Sequence, residues 1–150
     1  MPDCRIVSIQ KKIVDLIAVD YSAGYSGVNM TNNVIRGMVE EPPTVPFACV
    51  RFQDAIEEYG PTMGRFRGDA IFEVYAFVGG ATFQDRADAS LNISSDMITK
   101  ITANRQLSLG ALVDDVKCDF TSVEGDKVGL NSLAIGYIRV IVKFHSDDGV

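Results

Sequence analysis

The chain has 150 residues, 47% of them hydrophobic and 23% charged, with a formal net charge of −6. That length builds one domain around one core, burying about 70% of the surface that the unfolded chain exposes. The acidic balance excludes a protein that wraps nucleic acid, which needs clustered Lys and Arg to neutralise phosphates. Three scattered cysteines, Cys4, Cys49 and Cys118, with no CxxC pair, exclude a disulfide framework and a zinc site.

No run approaches the roughly 18 apolar residues of a membrane span. Asp3, Arg5, Lys11, Lys12 and Asp15 interrupt any signal-peptide core, so a cytoplasmic chain is expected.

Asp3 is placed to cap a first helix, in which Ile6, Ile9, Ile13, Leu16 and Ile17 recur at helical spacing up to about Asp20. Residues 21–33 (YSAGYSGVNMTNN) are rich in Gly, Ser and Asn and have no apolar period. They are expected to form a long loop that is either mobile or used for contact. A short strand is expected over Val34 to Glu40. Pro42, Pro43 and Pro46 then force an extended connector. Phe47 to Gln53 reads as a strand with Phe47, Cys49 and Arg51 on one face and Ala48, Val50 and Phe52 on the other. A second turn-rich insertion spans residues 54–68.

Asp69 to Val78 is the expected central strand. It is apolar on both faces, so helices should cover one and a loop or neighbour the other. Thr82, with Asp85 three residues on, opens a second helix whose stripe is Ala87, Leu91, Ile98 and Ile101, with a possible break at Ser94 and Ser95. After a polar turn at Asn104 and Arg105, Val113 to Val123 and Ser132 to His145 form a hairpin across residues 124–127. In its last strand Ala134, Gly136, Ile138, Val140, Val142 and Phe144 should face the core. Residues 1–150 thus form a single α+β domain of two layers, a mostly antiparallel sheet of four to five strands with two helices on one face.

Chemistry is sparse. His145 is the only histidine and sits at a strand end, where a surface role is expected in place of metal binding or base catalysis. Asp115, Lys117 and Asp119 alternate with Val116, Cys118 and Phe120 and fall on a solvent face. GYSG (24–27) and GPTMG (60–64) lack the Lys-Ser/Thr ending of a phosphate loop. Arg65, Phe66 and Arg67 form a small basic and aromatic cluster, either a solvated loop or a subunit contact. These residues point to a protein with no catalytic, cofactor or metal site. A small-molecule-binding α+β domain would need a polar pocket with convergent titratable groups.

The central run IFEVYAF (71–77), the turn NRQLSLG (104–110) and the final hairpin VDDVKCDF with AIGYIRVIVKF resemble the tail terminator, or tail-completion, proteins of tailed bacteriophages. Two features depart from the family pattern, the longer turn containing Ser108 and Leu109 and the long loop 21–33. The resemblance implies a virion protein assembled in the host cytoplasm, usually as a homo-hexameric ring. The ring would cap the finished tail tube, stop its polymerisation and present a joining surface to a head-closure or neck protein. DNA would pass through it without specific binding, and no membrane would be involved. A neck or head-closure connector is the alternative with the same character. Within such a ring, Asn104, Arg105 and Leu107, with Arg65 to Arg67, are the candidate contacts with a neighbouring subunit or partner. Asp115, Asp119, Glu124 and Asp126 are the acids expected to face the lumen, where they would repel phosphate.

Overall fold

The computed structural model describes residues 2–39, 41–59, 66–110, 113–124 and 133–146, with residues 57–59, 66, 121–124 and 146 described by their backbone alone. Seven elements follow in order: α1 (Arg5–Ile17), β1 (Val34–Arg36), β2 (Phe47–Tyr59), β3 (Phe66–Gly79), α2 (Phe83–Thr102), β4 (Val113–Glu124) and β5 (Leu133–Ser146). The strands form one sheet in the order β1-β2-β3-β5-β4, antiparallel except where β1 runs parallel to β2. Both helices pack on the same face of it, as expected.

The core is the layer between that face and the helices. Ile9, Ile13 and Ile17 of α1 and Ile93, Met97 and Ile101 of α2 meet Ala48, Val50, Phe72, Val74, Ile138, Val140 and Val142, all of them buried. Removing each large side chain from water is worth about 1.5–3 kcal/mol. The alternation expected along β5 holds, with Ala134, Gly136, Ile138, Val140, Val142 and Phe144 all turned inward.

Several elements depart from the sequence expectation. Asp3 does not cap α1. Cys4 is the N-cap residue with no side-chain hydrogen bond, and Asp3 pairs instead with Lys11. β1 is three residues long and stops at Arg36, where Gly37 takes a positive φ of 97°. The expected insertion 54–68 is largely strand, because β2 continues to Tyr59 and β3 starts at Phe66. Residues 60–65 lie outside the described residues.

The start of α2 is as expected, with Thr82 Oγ1 accepting from the Asp85 N–H at 3.1 Å. The helix does not break at Ser94. Its buried face is Ser90, Ile93, Ser94, Asp96, Met97 and Ile101, and Leu91 is exposed. The reason is close approach to the sheet: a Cβ on Gly136 of β5 would lie 2.2 Å from Ser94 Oγ and 3.1 Å from the Ser90 carbonyl oxygen. Small residues on both sides let the helix sit low, so its stripe is set by size as well as by hydrophobicity.

The loop 21–33 is tied down along its length. Asp20 and Asn29 form an antiparallel bridge, the Tyr21 N–H donates to the Val28 carbonyl at 2.8 Å, and Tyr21 and Met30 are buried. Asp96 completes the clamp from α2. Its carboxylate accepts from the Tyr25 N–H (3.0 Å), the Ser26 N–H (2.8 Å) and the Ser26 hydroxyl (2.6 Å).

Candidate assembly surfaces

The face of the sheet away from the helices has two halves. At one end Phe47, Cys49, Phe77 and Ile135 are buried, with Val39 and Tyr75 packed against them, so the segment between β1 and β2 covers that end. Beyond Tyr75 and Tyr137, whose rings lie 5.2 Å apart, the face bears charges in cross-strand rows. Arg51 stands opposite Glu73, Glu73 opposite Arg139, and Arg139 opposite Asp119, giving alternating signs across β2, β3, β5 and β4. Arg139 Nη2 donates to Asp119 Oδ2 at 2.7 Å, and Arg51 Nη1 lies 3.8 Å from Glu73 Oε2. Glu73 is only 7% exposed and accepts from the Tyr75 hydroxyl. Burial first and the Glu73 carboxylate second push the Tyr75 phenol above its usual range.

The turn after α2 closes by main-chain geometry. Leu107 and Ser108 take positive φ values of 51° and 55°, and Gly110 one of 63°. Asn104 organises it: its side-chain oxygen accepts from the Gln106 N–H at 3.0 Å, and its Nδ2 donates to Ser108 Oγ at 2.9 Å. Leu107 is fully buried and joins the main core, so it anchors the turn and is not available as a contact residue. Holding a branched side chain at positive φ is costly. The buried leucine offsets that cost.

Arg105 reaches β4 instead of standing free. Its Nε and Nη2 donate to Asp115 Oδ1 and Oδ2 at 2.9 and 2.8 Å, a two-pronged pair. That hydrogen bonding is the main reason the Asp115 carboxyl is lowered to about 2. Of the four acids expected at a lumen, Asp115 and Asp119 are therefore each paired with an arginine and do not act as bare negative charges. Glu124 closes β4 opposite Ala134, and Asp126 lies outside the described residues. Arg65 also lies outside them. Phe66 opens β3, and Arg67 is exposed opposite His145 and Glu58. His145 Nδ1 lies 2.9 Å from Asp114 Oδ1. Asp96, the residue that fixes the long loop, carries no sequence signal of that role beyond being an acid on the buried side of a helix.

The sheet has two open flanks. β1 pairs with β2 only from Ala48 to Val50, and among the described residues no strand continues along β2 on that side past Arg51. Among the described residues β4 is the other outermost strand and is paired only with β5. Each flank has a bulge, between Phe52 and Asp54 and between Val113 and Asp115. Among the described residues no group of three or more His, Cys, Asp or Glu side chains is arranged to hold a metal ion. No described helix is long and apolar enough to cross a membrane.

No protein-family model and no curated protein matches the sequence. The fold is similar to that of a chain in a solved structure described as the virion of a native gene transfer agent (GTA) particle, with a TM-score of 0.59 and 11% identity, over 96% of this chain and 100% of that one. At that identity the likeness is one of fold.

Proposed function

We propose that this protein is a structural virion component, and within the virion a tail terminator. It would form a ring, usually of six copies, that docks on the end of a completed tail tube, stops its growth and offers a surface for joining the head. The observation that supports the virion part of this reading is the fold likeness to a virion chain, which runs over essentially the whole of both chains. The NRQLSLG turn (104–110) and the IFEVYAF strand (71–77) add to it as the sequence features that resemble the terminator family. The reading assigns no catalysis. Its working parts would be surfaces, namely the turn at Asn104 and Arg105, the Arg67 end of β3, and the bare sheet face carrying Asp115 and Asp119, which would line the lumen.

Tail length tests the proposal and separates it from the connector alternative. Particles assembled without this chain should carry tubes that overgrow to variable lengths, because nothing stops polymerisation. Tubes of normal length that fail to join heads would contradict the terminator reading and favour a neck protein.

A further inference from the structure

The two open flanks of the sheet match each other. We infer that the chain binds a second copy of itself edge to edge, with β2 from Arg51 to Ile56 pairing antiparallel with β4 from Asp115 to Asp119 of the next copy. This rests on the ring-forming reading above and supplies the contact that reading needs.

Three observations fix the pairing. The first is charge. With Arg51 opposite Asp119, the bulge at Gln53 brings Asp54 opposite Lys117, so both outer ends of the charged rows meet an opposite sign. The alternating row from Asp119 through Arg139 and Glu73 to Arg51 then continues into the neighbour without a like-charge contact. The second is facing. The same register sets Phe52 opposite Cys118 and Ala55 opposite Val116, all on the helix-bearing side, so the two sheets continue with their layers aligned. Phe52 and Ile56, 39% and 53% exposed on this flank, would be covered.

The third observation concerns main-chain groups. On each flank one N–H is taken up by the carboxylate of the residue before it, Ala55 by Asp54 Oδ1 at 2.8 Å and Val116 by Asp115 Oδ1 at 2.9 Å. Ala55 and Val116 fall opposite each other in this register, where each could donate across the seam. An unpaired strand edge is a standing site for association.

β1 occupies the same flank from Ala48 to Val50, so the pairing ends at Arg51 and the two strands fork around it. The flanks lie on opposite sides of one sheet, which makes the contact head-to-tail, the type that closes into rings.

Cross-linking tests the register directly. Facing residues in an antiparallel pair lie about 5.5 Å apart at Cα, within the span of a disulfide. In a Cys4→Ser chain that keeps the buried Cys49 and the native Cys118, Phe52→Cys oxidised with diamide should give a ladder of dimers, trimers and higher species on a non-reducing gel. The Cys4→Ser parent should stay monomeric. In a second pair of variants, Lys117→Asp should raise the concentration needed for multimers by about tenfold or more, and adding Asp54→Lys in the same chain should restore it.

A dimer alone, or no ladder at any concentration, overturns the edge pairing. If the chain is nonetheless multimeric by mass, the ring reading stands and only its contact is wrong. If the chain stays monomeric even with tail tubes present, the ring reading falls as well.

Discussion

Arg105 and Asp115 show how a single residue's surroundings revise its expected role. Sequence alone marks Arg105 as an exposed cation in a turn, free to meet a neighbour, and the structure commits its fork to an acid ten residues on. Because the Asp115 carboxyl is lowered to about 2 in the folded chain, the pair contributes fully above the ordinary carboxylate range. That contribution fades as pH falls from there toward about 2, the direction expected when the unfolded state binds the proton more tightly. An NMR titration of Asp115 should give a midpoint near 2, and Arg105→Gln should return it to the ordinary range. An unchanged midpoint in the variant would mean that the arginine is not the cause. Leu107 departs from its expected role for a similar reason. A leucine in a polar turn reads as exposed, and only the backbone's left-handed excursion at Leu107 and Ser108 swings it into the core.

At the scale of elements, the legible parts were those governed by a clean period. The Thr82 cap, the alternation along β3 and β5 and the two-layer α+β plan all follow from spacing that the sequence displays. The distal half of β2 was hidden because the bulge at Gln53 shifts the alternation by one residue, so that 53–56 no longer read as a continuation of 47–52. The stripe of α2 was misassigned because its closest contact to the sheet uses serines against a glycine. That contact yields a test. Gly136→Ala should cost about 1–3 kcal/mol through overpacking, read from the midpoint of urea denaturation. Among the described residues Ser94 Oγ is buried with no hydrogen-bond partner, so Ser94→Ala should be neutral or stabilising and should recover part of the Gly136→Ala loss. Strictly additive effects would show that the two residues do not press on each other.

For the whole molecule, the parallel pairing of β1 with β2 and the strand order were not legible, since both depend on contacts between distant segments that no local pattern encodes. The functional expectation rests on a spaced resemblance across the chain, while the solved-structure comparison shows a shared fold. What the structure adds is a set of surfaces that the proposed assembly would use. One face is sealed by helices, the opposite face is half bare with balanced charges, and two strand edges on opposite sides are complementary in sign. Electron cryomicroscopy of an intact particle gives the position and copy number of this chain directly. A single closed ring is expected at the end of the tail tube nearest the head, with β2 of each copy beside β4 of the next. Finding the chain elsewhere in the particle, or as isolated copies that do not touch, would contradict it.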